Sequence, residues 1–333
     1  MINISKLLFL SILILGTCLT LSSETWLGMW IGLEMNLIAF IPIIFKSKNI
    51  SSSESCMMYF LIQSMGSILM LVSVLSNSLI TVSPTVIEHF FYSTLMFSMF
   101  IKLGVPPFHF WFPEILEKMS WMNCMILMTW QKVAPLAILS LMSEKMLLLP
   151  VIIMMSTVVG ALGGLNQTSI RKILGYSSIS HMGWMIACLK FKNDLWMKYL
   201  IIYSAILITM IFVFHMYSSF NINQFNQMST MTEKTMIIIM FMSLGGLPPF
   251  LGFLPKWMVI QSLMTSNSYT LLTIMVLSTL ITLFYYLRLV STMILLSSMS
   301  LKWNIKKTNL KNEMQIAIVM INTLLPVIST FSF

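Results

Sequence analysis

The chain has 333 residues, of which 58% are hydrophobic and only 9% are charged, and its formal net charge is +9. A soluble chain of this length would fold as one or two domains. This composition excludes that class, because apolar runs of about 20 residues, long enough to cross about 30 Å of hydrocarbon, recur from end to end. The positive charge forms no contiguous basic face, which argues against a nucleic-acid partner.

The runs predict an all-α polytopic membrane protein with about eleven transmembrane helices. In chain order, they cover roughly residues 5–22, 26–45, 56–76, 86–117, 121–143, 147–165, 173–190, 195–217, 236–263, 269–296 and 314–331. No A-x-A-like site follows the first run, so we interpret it as a membrane span and not as a cleaved signal. If the spans alternate, most Lys and Arg residues share one side. The positive-inside rule then places the N-terminus on that side and the C-terminus opposite.

One motif occurs twice. Gly104-Val-Pro-Pro-Phe108 is matched by Gly246-Leu-Pro-Pro-Phe250, and a further proline follows each copy at the same offset, Pro113 and Pro255. The copies lie an odd number of runs apart, so they have opposite orientations, which is the signature of an inverted-topology repeat. Two consecutive prolines break a helix, and broken backbone at membrane depth is tolerated only where protein or a water-filled cavity satisfies it. We therefore predict two helices broken at Pro-Pro in a transport region; the alternative is a proline kink with no ionic role.

Among the charged side chains inside apolar runs, the ones that most need an explanation are Glu34, Lys102, Lys132 and Lys256. A charge at the bilayer centre costs at least roughly 2.5–3.5 kcal/mol, so such residues indicate an ion or proton path. At about 5 Å and an effective dielectric near 20, Glu34 and Lys102 would attract each other by roughly 3 kcal/mol, which makes them a plausible pair. We interpret Lys132 as a central relay and Lys256 as the terminal site of the second repeat.

Blander interpretations stay open for these residues. Glu34 can be hydrogen-bonded in a contact between helices. A long basic side chain can instead reach the membrane–water interface, as we expect for Lys198 and Arg288. His109, just beyond the first Pro-Pro pair, and His181, in the middle of its run, could join a hydrated path. A hydrogen-bonded histidine inside the bundle explains each of them equally well.

The sequence predicts no cofactor-binding or metal-binding residue. The four cysteines fall on separate runs without a C-x-x-C pair, which argues against a disulfide framework, a zinc site and an iron–sulfur cluster. The histidines are not paired on two helices as a two-haem cytochrome requires. The segment Gly160-Ala-Leu-Gly163-Gly164 follows no strand, so it indicates close helix packing and not nucleotide binding.

Four segments resemble the antiporter-like subunits of respiratory complex I, the NADH:ubiquinone oxidoreductase, in the short form encoded in animal mitochondria. They are Trp30-Ile-Gly-Leu-Glu-Met-Asn36, Lys102-Leu-Gly-Val-Pro-Pro-Phe-His-Phe-Trp-Phe-Pro113, Gly175-Tyr-Ser-Ser-Ile-Ser-His-Met-Gly-Trp184 and Gly245-Gly-Leu-Pro-Pro-Phe-Leu-Gly-Phe-Leu-Pro-Lys256. The resemblance runs over nearly the whole chain. It implies that Glu34 and Lys102 form a modulating pair, that Lys132 is the central relay and that Lys256 is the terminal proton site.

The resemblance also implies a single membrane domain over 1–333. Its expected parts are a first inverted five-helix repeat over 1–145, a second over 146–297, and a matrix-side loop with a C-terminal helix over 298–333. The implied location is the mitochondrial inner membrane, with the N-terminus in the matrix and the C-terminus in the intermembrane space.

The implied function is proton pumping coupled to electron transfer elsewhere in the complex. NADH, FMN, iron–sulfur clusters and ubiquinone would belong to partner subunits, with no redox centre in this chain. The expected partners are other membrane-arm subunits, including neighbouring antiporter-like chains, and inner-membrane lipids, with bound phospholipid allowed for. Two alternatives remain: a structural membrane-arm subunit with a closed proton path, and a free-standing cation/proton antiporter.

Overall fold

The computed structural model describes residues 4–45, 49–78, 84–143, 148–227, 231–298, 319–320 and 322. In these residues the secondary structure is helical, apart from an isolated β-bridge between Ser169 and Asn221. The all-α prediction is confirmed for this part of the chain. The chain divides into two compact units, Met1–Ile152 and Ile153–Phe333, which are described separately below.

The first unit consists of helices joined by short connections. They are α1 (Ile4–Ser22), α2 (Trp26–Ile44), α3 (Ile50–Ser78), α4 (Pro84–Leu103), α5 (Trp111–Lys118), α6 (Trp121–Met128) and α7 (Val133–Met142). A single 3-10 turn, Trp130–Lys132, separates α6 from α7. The start of α2 is fixed by Thr25, whose side-chain oxygen accepts a hydrogen bond from the Gly28 amide at 3.2 Å, as an N-cap residue does.

The second unit has the same character, and its first helix begins just before the boundary. The helices are α8 (Leu149–Gly163), α9 (Ile170–Phe191), α10 (Leu195–Met216), α11 (Met231–Gly245), α12 (Phe253–Thr265) and α13 (Tyr269–Ser298). A 3-10 segment, Ile222–Gln227, lies between α10 and α11. Helix α9 supplies the centre of this unit, because nearly all its side chains are buried, including the polar Ser177, Ser178 and His181.

Six helical segments of the described chain are long and apolar enough to cross a membrane. They are Ile4–Ser22, Trp26–Ile44, Ile50–Ser76, Trp121–Met142, Leu195–Met216 and Tyr269–Leu295. The total of about eleven spans and the repeats over 1–145 and 146–297 stay predictions. The predicted eleventh span, 314–331, and the loop and helix over 298–333 fall almost wholly outside the described residues.

Hydroxyl side chains on these helices donate to carbonyls of their own helix, usually three residues earlier. Ser98 Oγ lies 2.6 Å from the Leu95 carbonyl oxygen, and Ser278 Oγ lies 2.7 Å from that of Met275. The same local bond is made by Thr17, Ser156, Ser177 and Thr282. Hydrocarbon offers no partner to a polar group, so this local bond lets a hydroxyl sit in an apolar segment.

Helices α8 and α9 pack closely through small residues. A Cβ added to Gly160 would lie 2.5 Å from the Ser180 backbone nitrogen, and one added to Gly183 would lie 2.5 Å from Ser156 Oγ. Small residues allow two helix backbones to approach in this way. The close helix packing predicted for the glycine segment at 160–164 is confirmed.

Two connections, between α4 and α5 and between α11 and α12, share a positive-φ glycine and a pattern of backbone hydrogen bonds, although the Pro-Pro peptide bond is cis in the first and not in the second. The residue directly after each preceding helix is a glycine with positive φ, +69° at Gly104 and +76° at Gly246. Glycine adopts this conformation without the steric cost that other residues bear. In the first connection the amides of Gly104, Val105, Phe108 and Phe112 donate to the carbonyls of Ile101, Phe100, Val105 and His109. In the second, the amides of Gly246, Leu247, Phe250 and Leu254 donate to Ser243, Met242, Leu247 and Leu251. The repeated motif therefore folds into matching helix ends and turns.

Candidate functional site

The sequence-predicted lysines are all buried. The exposed fractions are 7% for Lys102, 2% for Lys132 and 6% for Lys256, which sets them apart from the exposed lysine at position 198 on α10. A lysine is almost never fully buried unless it is paired. Their surroundings therefore decide what they can do.

Lys102 lies in the last turn of α4 and its stem runs over Gly66 of α3. A Cβ added to Gly66 would lie 2.9 Å from Lys102 Cγ and 3.3 Å from Lys102 Cε. The absence of a side chain at this position leaves the channel in which the aliphatic stem lies. Sequence reasoning missed this contact, because nothing in the local sequence pairs a glycine with a lysine on the next helix.

Gln63, on the same face of α3, closes the end of α4. Its Nε2 donates to the Lys102 carbonyl oxygen at 3.1 Å, and the bond is buried. The last carbonyls of a helix have no partner within the helix, and an unsatisfied buried carbonyl costs roughly 1–3 kcal/mol. Gln63 satisfies one of these carbonyls where the helix stops.

Lys132 lies at an interruption in the middle of a membrane-spanning segment. Trp121–Met142 is one apolar span by length and composition, yet its helix stops at Met128 and restarts at Val133. Pro135 has no N–H to donate to the carbonyl four residues earlier, so it is tolerated only in the first turn of the new helix. The interruption places Lys132 Nζ 5.6 Å from the centre of the Phe112 ring, within cation–π range.

A small cavity in the first unit joins these two lysines. It is lined by Leu33, Asn36, Leu37, Tyr59, Gln63, Lys102, Leu103, Trp111, Phe112, Leu127, Gln131, Lys132 and Pro135. Its volume open to the centre of a water molecule is ≈ 20 Å³, whereas about 10–15 Å³ accommodates one water. The cavity that both lysines line can therefore hold a water.

Two donors on the cavity wall are suited to such a water. Gln131 Nε2 and Trp111 Nε1 are buried and have no hydrogen-bond partner in the part of the chain that the structure describes. Buried donors in native proteins are nearly always paired with protein or with ordered water. The sequence offered a signal for Gln131, since it is an amide directly beside a mid-span lysine.

Glu34 acts on Lys102 from a distance. It is half-buried on α2, and its carboxylate attracts the Lys102 ammonium. Glu34 and Lys102 form no salt bridge within 4.0 Å. Glu34 is also not among the residues that line the cavity. The two groups thus interact through space without being locked in contact.

Lys256 occupies the matching turn of the second unit in a different way. Its Nζ donates to the Gly245 carbonyl oxygen at 2.7 Å, at the end of α11. The Lys256 side chain also packs against Gly246: a Cβ added to this glycine would lie 2.8 Å from Lys256 Cδ and 3.0 Å from Lys256 Nζ. A cation is favourable at the C-terminal end of a helix, where carbonyl oxygens carry partial negative charge.

The two histidines have separate environments. His181, in the second unit, has its Nδ1 2.8 Å from the Tyr199 hydroxyl and its ring centre 4.9 Å from that of Tyr203. His109, in the first unit, stacks on Phe110 with ring centres 4.1 Å apart and does not line the lysine cavity. A relay role for either histidine stays a prediction, and the tyrosine partners of His181 were missed from sequence.

Arg288 has a structural role that the sequence did not reveal. Its guanidinium donates to the carbonyl oxygens of Leu165 and Gln167, the latter at 3.0 Å, just after α8 ends. We expected this side chain to reach an interface, but its hydrogen bonds are made to the protein backbone. Helix α13 is thereby joined to the connection that follows α8.

Comparison with known proteins places this arrangement in a family. The model of the NADH:quinone oxidoreductase/Mrp antiporter transmembrane family matches residues 23–282. NADH-ubiquinone oxidoreductase chain 2 of Locusta migratoria is 46% identical over 289 residues, which cover 86% of this chain and 84% of that protein. The protein of the same name from Anopheles gambiae is 43% identical over 316 residues, 94% of this chain and 92% of that protein.

The fold has a counterpart among solved structures. A chain of respiratory complex I from Thermus thermophilus superposes with a TM-score of 0.83 at 19% sequence identity, covering 98% of this chain and 78% of that one. At this identity the likeness concerns the fold alone. The family match and the chain 2 relatives show that this chain belongs to the NADH:quinone oxidoreductase/Mrp antiporter transmembrane family, as a relative of NADH-ubiquinone oxidoreductase chain 2.

Proposed function

We propose that this chain is a proton-translocating, antiporter-like membrane subunit of NADH:ubiquinone oxidoreductase. The observation that carries the proposal is the cavity that both Lys102 and Lys132 line. Buried amines that share a cavity large enough for water can exchange a proton, whereas amines isolated in packed side chains cannot. The close relatives carry the name of a subunit of this enzyme.

The mechanism that we propose is electrostatic. A charge shift in a neighbouring subunit weakens the attraction between Glu34 and Lys102, and Lys102 then passes its proton, or its effect, to Lys132 and on to Lys256. Opposite charges about 5 Å apart, at an effective dielectric near 20, would attract each other by roughly 3 kcal/mol. Moving one charge against 100 mV takes about 2.3 kcal/mol. The change in attraction energy is therefore similar in size to the free energy needed to move one proton across the membrane.

The energy for this step would come from outside the chain. We place NADH, FMN, the iron–sulfur clusters and ubiquinone in partner subunits, so that this chain contributes the proton path to a translocating NADH:ubiquinone reductase. Its partners would be the other membrane-arm subunits, including neighbouring antiporter-like chains, and inner-membrane lipids with bound phospholipid. The proposed location is the mitochondrial inner membrane, with the N-terminus in the matrix and the C-terminus in the intermembrane space.

The proposed topology consists of about eleven spans in two inverted five-helix repeats, 1–145 and 146–297, followed by the segment 298–333. The matching glycine turns at Gly104 and Gly246 support the repeat. In this topology α4 with α5, and α11 with α12, are the two membrane helices broken at Pro-Pro. Broken helices in corresponding positions of two halves are the usual sign of a transport site.

Replacing Lys132 or Lys256 with Met in the assembled complex tests the function. Met keeps most of the side-chain volume and removes the titratable amine, so proton pumping should fall in each variant. Lys198→Met, which changes an exposed lysine, should leave pumping unchanged. Normal assembly with normal pumping in both buried-lysine variants would reject the proposal and favour a structural subunit with a closed path. Recovery of the chain alone, outside any large complex, would favour a free-standing cation/proton antiporter.

A further inference from the structure

The two matching helix ends are capped by side chains of different chemistry. At the end of α4, a neutral amide, Gln63 Nε2, donates to the Lys102 carbonyl oxygen at 3.1 Å. At the end of α11, an amine, Lys256 Nζ, donates to the Gly245 carbonyl oxygen at 2.7 Å. The two helix ends share the same backbone hydrogen bonds and a positive-φ glycine, but they are capped by different groups.

This difference decides where each lysine amine lies. Lysine side chains can bind the last carbonyls of a helix, and Lys256, from the start of α12, binds such a carbonyl at the end of α11. Lys102 also lies in the last turn of its helix, but its carbonyl is already bound by Gln63. The Lys102 side chain instead follows Gly66 and lines the cavity that it shares with Lys132.

One face of α3 contacts both the cavity and the Lys102 side chain. Tyr59, Gln63 and Gly66 are spaced at four and three residues, so they lie on one side of the helix. Tyr59 and Gln63 line the cavity, and Gly66 leaves room for the lysine stem. Gln63 is buried, so bulk solvent does not compete with it for the carbonyl.

We propose that Gln63 is a positioning residue for proton transfer at Lys102: by capping the broken end of α4, it keeps the Lys102 amine in the cavity that faces Lys132. The inference rests on the proposed function, since it assigns Gln63 a task in the same proton path. Without the Gln63 amide, the carbonyl at the end of α4 is open to the Lys102 amine, just as the carbonyl at the end of α11 is bound by an amine, that of Lys256 on the following helix. The path through the cavity then loses its first amine although every titratable group is still present.

The test is Gln63→Met in the assembled complex, because Met matches the length of Gln and has no N–H to donate. We expect pumping per assembled complex to fall by about two- to tenfold, the effect of one hydrogen bond on a two-position equilibrium. The matched control is Gln167→Met, since Gln167 Nε2 also donates to a carbonyl at a helix end, Gly163 at 3.3 Å, but has no lysine beside it. The control should pump normally.

A double variant separates positioning from general support of the fold. If Gln63 acts through Lys102, then adding Gln63→Met to Lys102→Met should cause no further loss of pumping. An additional loss of the same size in the double variant, or unchanged pumping in Gln63→Met alone, overturns the inference. Normal pumping in Lys102→Met would instead reject the proposed function, so the two failures are distinguishable.

If Gln63→Met does not assemble, the unmodified complex still decides the question. A structure of the assembled complex should place the Gln63 amide within hydrogen-bond distance of the Lys102 carbonyl oxygen and the Lys102 amine in the cavity. An amide turned away from that carbonyl, with the amine still in the cavity, would overturn the inference.

Discussion

Adjacent glycines at the end of α11 allow a sharp test of how Lys256 is held. In Gly246→Ala, the new residue must adopt φ near +76°, which costs an L-residue roughly 1–2 kcal/mol. Its Cβ would also lie 2.8 Å from Lys256 Cδ and 3.0 Å from Nζ, and such overpacking costs roughly 1–3 kcal/mol. The expected destabilisation is therefore about 2–5 kcal/mol, together with displacement of the Lys256 amine from the Gly245 carbonyl.

Gly245→Ala is the matched control. This glycine ends α11, and an added Cβ would meet Tyr286 Cδ2 at 3.6 Å, an ordinary van der Waals contact. Alanine favours the helix over glycine by roughly 0.5–1 kcal/mol. The control variant should be as stable as the parent protein or slightly more stable.

Both variants can be compared in the assembled complex. The half-life of the complex during mild heating reports kinetic stability, and proton uptake into proteoliposomes reports pumping. We expect Gly246→Ala to shorten the half-life and reduce pumping, and Gly245→Ala to change neither. Equal behaviour of the two variants, or greater damage from Gly245→Ala, would refute the account of the Lys256 environment.

Three further changes probe other parts of the molecule. Gly66→Ala places a Cβ 2.9 Å from Lys102 Cγ, so pumping per assembled complex should fall more than the amount of complex does. Tyr199→Phe removes the hydroxyl that lies 2.8 Å from His181 Nδ1; it should destabilise the complex by roughly 1–3 kcal/mol because a buried ring nitrogen loses its partner, measured as a shorter half-life on heating. Glu54→Gln breaks a half-exposed ion pair of 2.8 Å on the surface of the first unit; it should cost less than about 1 kcal/mol, and the same heating assay should show the loss shrinking at high salt.

Much of the fold could be predicted from the sequence because the bilayer imposes strong local rules. A run of apolar residues long enough to span hydrocarbon has few alternatives to a helix, and the described parts of these runs are helical apart from the turns after α4 and α11 and the interruption between α6 and α7. The ends of α4 and α11 were also readable, since Gly-x-Pro-Pro combines a residue suited to positive φ with two residues that cannot continue a helix. These signals are local, and the structure follows them.

The surroundings of the lysines could not be predicted in the same way. The contact between Gln63 and the Lys102 carbonyl joins residues on two helices, and no spacing rule within one helix reveals such a pair. The sequence places a lysine near each Pro-Pro motif, Lys102 and Lys256, but it does not show what each amine contacts. In the structure, one lysine lines a cavity and the other caps a helix.

The hydroxyl groups along the spans have a consequence for leakage. The hydroxyl of a serine or threonine has a single proton to donate. In four serines of the spans it is donated to a carbonyl of the same helix, namely Ser98, Ser156, Ser177 and Ser278. A hydroxyl in this arrangement cannot readily hand a proton to a neighbouring helix without first breaking its own bond. These locally bonded hydroxyls are therefore poor proton donors to neighbouring helices, although they are the polar groups that recur most often along the spans.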